Sequence, residues 1–310
     1  MLKNKILFFL FIAFELRSVD MYFCTASDTK FFIFLTNLIG SIHNTNFDNL
    51  KEIAVFDLGL SQNQVLQLNS MQKVKVYQVE KVHPDIIKQF KTTPLGKLVP
   101  GWYAWKPVVI KQALEMFPYV LYLDAGFSVL KPLDDLFTHV KQNGYFLVTN
   151  GEEYIDGRYN HGVWWQTTQY LKDKFELDKP DKSWILSQDS LMAGFGGYSR
   201  KALDNLVSHW YEMAKDLRNF ADDGTTPEGF GTARHDQAVL SLLCYTKNIS
   251  AHKLDQTQNT PIILNVYNIK IPFYLTCFGK YLNKKTHVFH TRYYQNENGF
   301  FCKSIRYKNV

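Results

Sequence analysis

The run Tyr119-Val120-Leu121-Tyr122-Leu123-Asp124-Ala125-Gly126 constrains the fold more than any other stretch of this chain. A continuous apolar segment without alternation is the pattern of a strand buried on both faces, as in parallel sheets covered by helices. It ends in a single carboxylate followed by two small residues. Ligands of open α/β sheets bind just outside the carboxyl ends of the strands, which puts Asp124 where chemistry tends to collect. Small residues there let a charged ligand or a metal approach the backbone closely. A turn residue after a buried strand explains Asp124 equally well, so the neighbouring segments have to decide.

Those segments alternate. Phe31 to Thr36 reads as a buried strand, and Gly40 to Leu50 as a loop and short helix. Ile53 to Asp57 reads as a second strand, and Ser61 as the N-cap of a helix through Met71. Val74 to Val79 is expected to be a third strand, and Lys106 to Phe117 a helix with Pro107 in its first turn. This order predicts an α/β fold: a mostly parallel, Rossmann-like central sheet flanked by helices. Beyond it, Tyr145 to Thr149 suits a strand, Lys201 to Leu217 an amphipathic helix, Asp236 to Cys244 a short apolar helix, and the tail from Ile262 further strands. Asn150 to Asn160 and Phe220 to Arg234 read as loops. With no repeat and no linker, residues 27–310 are expected to form a single domain.

Composition narrows the partners. With 35 Lys and Arg against 29 Asp and Glu, the net charge is +6, and the basic residues are scattered. That excludes nucleic acid as a partner and suits an anionic small molecule. The four cysteines have no CxxC spacing, so no zinc site is expected, while Cys277 and Cys302 are a candidate disulfide in a secreted chain. Lys3 and Lys5 precede nine apolar residues, Ile6 to Phe14. This is the layout of a signal peptide, too short to span a bilayer. Residues 1–26 are therefore expected to be a signal peptide or signal anchor, with cleavage near Cys24-Thr25-Ala26. The expected localisation is the secretory pathway (Golgi or ER lumen) or export, with membrane association through the N-terminus. The competing reading is a buried N-terminal element of a cytoplasmic protein.

Four short motifs stand in order: Phe56-Asp57-Leu58-Gly59-Leu60-Ser61, Gly101-Trp102-Tyr103-Ala104-Trp105-Lys106-Pro107, Leu123-Asp124-Ala125-Gly126, and Arg234-His235-Asp236-Gln237. In that order and spacing the chain resembles nucleotide-sugar glycosyltransferases of the GT-A type over most of residues 31–245. The resemblance implies a nucleotide-sugar donor and a glycan, lipid or protein acceptor hydroxyl. It also implies a divalent cation (Mn²⁺ or Mg²⁺) at the strand-end acidic motif, usually Asp-x-Asp. Here Gly126 stands where the second Asp is expected, which puts the cation in question.

Residue by residue, the resemblance places Asp124, Gly126, Lys106, Trp105 and Gly194 at the donor. Asp236 becomes either the acceptor of a sugar-hydroxyl hydrogen bond or the base that takes the acceptor proton, with Asp189 as rival base, and Asp124 the metal ligand. His287 and His290 point to opposite faces if the tail is a strand, and His290 is the candidate to complete the metal shell. Each has an ordinary structural reading as well: Asp236 as the first-turn carboxylate of a helix, Lys106 as a solvated helix-start lysine, Trp105 as core, Gly194 as a turn, His290 as a packed histidine. A non-catalytic glycan-binding protein on the same fold is the alternative function. A nucleotidyltransferase is disfavoured, because Thr36-Asn37-Leu38-Ile39-Gly40 lacks a Gly-rich, basic phosphate loop.

Overall fold

A computed structural model describes residues 19–91, 98–129, 131–149, 162–229, 231–252 and 302–308. It also describes the backbone of the short strands Tyr154–Ile155, Arg158–Tyr159, Ile262–Val266, Ile269–Phe273 and Leu275–Cys277. The centre is a six-stranded sheet. Its strands are β1 (Met21–Ser27), β2 (Leu50–Asp57), β3 (Val74–Gln78), β4 (Tyr119–Leu123), β5 (Tyr145–Phe146) and β6 (Phe195–Ser199). They lie in the order β3-β2-β1-β4-β6-β5. β1 is parallel to both β2 and β4, β2 is parallel to β3, and β6 runs antiparallel between β4 and β5.

Two apolar cores lie on opposite sides of this sheet, and the alternation of strand side chains assigns residues to them. In β4, Tyr119, Leu121 and Leu123 join the core beneath α1 (Phe32–Asn46) and α4 (Asp134–Asn143). Val120 and Tyr122 join the core beneath α3 (Trp105–Met116), α5 (Ser208–Ala214) and α6 (His235–Thr246). By the same alternation Asp124, next after Leu123, belongs to the side of Tyr122 and hence to α3 and α6.

Local chemistry explains the helices. α2 (Gln62–Ser70) starts in a reciprocal capping box: the Ser61 hydroxyl accepts the Gln64 N–H and the Gln64 side chain accepts the Ser61 N–H. α4 has Asp134 and Asp135 in its first turn and ends at Gly144 with φ 96°. The Phe56–Ser61 motif is an Asx turn leading into α2, with Asp57 Oδ1 accepting the N–H groups of Gly59 and Leu60.

Two expectations are corrected here. Phe31 to Thr36 is not a strand. Asp28 Oδ1 accepts the N–H groups of Lys30 and Phe31 and starts a turn that continues into α1. Leu35, Leu38, Ile39 and Ile42 then repeat at helical spacing and are fully buried. The leader boundary is also wrong. Residues 21–27 form β1, paired on both sides, and Val19 is already buried, so cleavage near Cys24-Thr25-Ala26 would remove the strand between β2 and β4. The Lys201–Leu217 helix is present in pieces: a 3₁₀ turn, a π turn over Leu203–Val207, then α5. Cys302 Sγ lies 3.6 Å from Thr36 Oγ1; the Cys277 side chain is outside the described residues. No helix among the described residues is long and apolar enough to cross a membrane.

The C-terminal residues 302–308 strap α1 to the start of β3. Tyr307 bridges Met71, Gln72 donates its backbone N–H to the Arg306 carbonyl, and the Arg306 N–H donates to His43 Nδ1 at 3.0 Å. His43 is 1% exposed, and burial, with Arg306 and Lys73 nearby, pushes its pKa down to about 4. A histidine held neutral stabilises fully above its unfolded pKa near 6.5 and loses that contribution as pH falls through 6.5 toward 4. Denaturant unfolding at pH 7 and pH 5 should therefore show a loss of about 2 kcal/mol from this group. A His43→Gln variant should show a correspondingly smaller pH dependence.

Candidate active site at the carboxyl edge of the sheet

β4 carries Asp124 to the edge of the sheet, and the strand pairing extends one residue beyond it: the Asp124 N–H donates to the Gly194 carbonyl at 2.8 Å. A Cβ on Gly194 would lie 2.7 Å from Asp124 Oδ2. Glycine is needed there because the Asp124 carboxylate occupies the space. Tyr122, on the same side of the strand, donates its hydroxyl to Asp124 Oδ1 at 2.6 Å.

α3 supplies the third member. Lys106 is 4% exposed, and its ammonium lies 3.1 Å from Asp124 Oδ1, 3.2 Å from Asp124 Oδ2 and 2.6 Å from Asp236 Oδ2. The Ala193 carbonyl is a longer contact at 3.5 Å. The rings of Tyr103, Tyr122 and Trp105 surround the ammonium at 5.3, 5.8 and 5.9 Å. Burial alone would lower the Lys106 pKa, but the two carboxylates outweigh it and hold the amine charged. Burial pushes the Asp236 carboxyl up, with Lys106 opposing it. Burial likewise raises the Tyr103 phenol to about 12, keeping it neutral. The Asp236 side chain is 8% exposed and that of Asp124 is 39% exposed. The cluster is therefore closed at Asp236 and open at Asp124.

The backbone in front of these groups is strained. Gly101, Trp102 and Tyr103 have φ of 51°, 45° and 64°, and a Cβ on Gly101 would collide with the Ile86 carbonyl. His235, immediately before Asp236, has φ 41°; its ring lies 5.7 Å from that of Tyr103, and its Nδ1 is 2.7 Å from the Phe220 carbonyl. Left-handed non-glycine residues cost of order 1–3 kcal/mol each and gather at functional sites. Here they fix the starts of the two helices that deliver Lys106 and Asp236.

The structure brings Lys106, Asp124, Gly194 and Asp236 together. Gly126 lies two residues past Asp124 in the turn leading to Phe127. Asp189 lies on the adjoining loop, where its carbonyl accepts the Tyr245 hydroxyl. Gln237 donates to Gln166 Oε1 and Ser190 Oγ, tying that loop to α6. Trp105 is 4% exposed and packs in the apolar core. Trp102 stacks on Phe90 with ring centroids 4.2 Å apart. His290 lies outside the described residues. Tyr122 was missed at the sequence level, although its spacing of two from Asp124 on a strand is the signal that finds it.

Among the described residues, the donor set around Asp124 does not match a divalent cation. Both oxygens of Asp124 lie within 3.2 Å of the Lys106 ammonium, Oδ1 also accepts from Tyr122, and Gly126 adds no ligand. Among the described residues there is no group of three His, Cys, Asp or Glu side chains able to hold a metal.

No protein-family model matches the chain, and no curated protein sequence matches it significantly. Solved structures do. An active-site mutant of LgtC is 13% identical with a TM-score of 0.50, over 94% of this chain and 97% of LgtC. LgtC in complex with donor and acceptor sugar analogues is 14% identical with a TM-score of 0.48 over the same shares of the two chains. The bifunctional glycosyltransferase WbbM is 14% identical with a TM-score of 0.45; the match covers 74% of this chain and only 38% of WbbM. At these identities the likeness is one of fold, and the fold is that of GT-A-type glycosyltransferases.

Replacing Lys106 with Met should leave Asp236 buried without its partner, destabilising the chain by about 3 kcal/mol at pH 7. A carboxyl whose folded pKa is raised binds its proton more tightly in the folded state, so lowering the pH favours folding of the variant. The deficit relative to wild type, read from denaturant midpoints, should be smaller at pH 5 than at pH 7.

Proposed function

We propose that this chain is a glycosyltransferase that moves a sugar from a nucleotide-sugar donor to an acceptor hydroxyl. The observation that carries the reading is the carboxylate–ammonium–carboxylate cluster of Asp124, Lys106 and Asp236 at the carboxyl edge of a GT-A-type sheet, open on the Asp124 side. Clusters of perturbed ionisable groups in such places mark sites of chemistry. LgtC, which shares the fold, is solved with donor and acceptor sugar analogues.

In this reading the donor lies across Asp124 and Gly194. The bond between the anomeric carbon and the diphosphate oxygen breaks, and its electron pair leaves with the diphosphate. The Lys106 ammonium stabilises that charge without giving up a proton. The acceptor oxygen bonds to the anomeric carbon, and its proton passes to a carboxylate. Asp236 is the first candidate base because burial raises its pKa; Asp189, on the neighbouring loop, is the second. Tyr122 and the Gly194 backbone hold Asp124 in place. For the N-terminus, residues 1–18 are proposed to direct the chain to the secretory pathway and to associate with its membrane.

A thermal-shift screen against nucleoside diphosphates and nucleotide sugars tests the reading. A ligand at 100 times its Kd should add about 2.7 kcal/mol of stability. Asp124→Asn, which keeps the side chain's size and leaves Lys106 paired with Asp236, should abolish sugar transfer and donor hydrolysis while the chain still unfolds in one cooperative transition. A folded protein that responds to no nucleotide but binds glycans would replace the transferase with a glycan-binding protein, and wild-type turnover in Asp124→Asn would remove Asp124 from the site.

A further inference from the structure

We infer that the positive charge facing the donor diphosphate is the Lys106 ammonium itself, so that nucleoside-diphosphate binding at this site needs no divalent cation. The inference rests on the nucleotide-sugar reading above.

Asp124 and Asp236 come from a strand end and from the first turn of a helix, and the same ammonium is paired to both. A cation bound between these carboxylates would have to displace Lys106. That would leave a buried ammonium, enclosed by Tyr103, Trp105 and Tyr122, without its anions. A cation bound beside Lys106 would meet a like charge and find no second carboxylate at Gly126. The lysine accordingly fills the position that a metal would otherwise take.

An anion is accommodated differently. The cluster sums to one net negative charge, and α3 and α6, each twelve residues long, begin beside it. Each helix N-terminus contributes roughly half a positive charge, which brings the field near zero. The long contact from Lys106 to the Ala193 carbonyl, 3.5 Å, is the weakest of its bonds and the one a phosphate oxygen would replace. The approach is from the side of Asp124, the exposed member of the cluster.

Calorimetric titration of the full chain with UDP and with GDP, in EDTA and then in Mn²⁺, decides the matter. At least one of them should bind in EDTA with a Kd that Mn²⁺ changes less than fivefold. Lys106→Met should weaken that binding tenfold or more, whereas Lys106→Arg, which keeps the charge, should weaken it less. Binding that appears only in Mn²⁺, or that tightens fivefold or more with it, would overturn the inference and leave the transferase reading standing. Wild-type binding in Lys106→Met would overturn the role of Lys106. No binding of either nucleotide in either buffer would take away the nucleotide-sugar reading and this inference with it. The comparison of EDTA with Mn²⁺ uses the wild-type chain, so the test stands even if the Met variant fails to fold.

Discussion

The ion cluster of Lys106 with Asp124 and Asp236 is the constraint around which the rest is arranged. A lysine and a carboxylate this deeply buried lose several kcal/mol of hydration each, and the loss is offset only when geometry and additional hydrogen bonds are good. The surroundings meet that demand. Tyr122 anchors Asp124, Gly194 leaves room for its carboxylate, three rings face the ammonium, and two strained turns set the helices from which Lys106 and Asp236 project. A mere fold-stabilising core would use apolar residues at these positions at no greater energetic cost. Retaining charge there fits a site.

The sheet makes the cluster possible through alternation. Even-numbered positions of β4 and the residue that follows it face α3 and α6, so Val120 packs, Tyr122 packs and donates, and Asp124 pairs with Lys106, all on one side. Odd-numbered residues face α1 and α4 and are purely apolar or aromatic. A single strand thus supports one core with its odd positions and carries the polar chemistry on the other face with its even ones. Just ahead of β6, antiparallel beside it, Gly194 adds the carbonyl that holds the Asp124 backbone.

How much of this was legible in the sequence varied with the range of the interaction. The buried β4 with Asp124 at its end, the Ser61 cap, α3 and the placement of Asp236 in a first helical turn all follow from local pattern, and the structure agrees. The Phe31–Thr36 segment does not follow, because a short apolar run satisfies strand and helix alike until Asp28 is seen to cap it. β1 was hidden for a related reason: an apolar strand close behind the apolar run Ile6 to Phe14 reads as a continuation of that run. The pairing of Lys106 with Asp236 had no local signal, since nothing in either motif specifies that two distant helices start at one point. Nor did either motif show that the missing Cβ at Gly194 leaves the space that the Asp124 carboxylate occupies.

The left-handed run Gly101-Trp102-Tyr103 just before α3 sets the rotational phase of that helix. An α-helix turns by about 100° per residue. A single insertion or deletion ahead of Trp105, absorbed by the helix, would swing residue 106 a quarter-turn or more away from the sheet edge. Two carboxylates would then face each other with no cation between them. The length of this loop is thus held by electrostatics, and tolerance to insertion, ordinarily the freest property of a surface connection, should be least at this one.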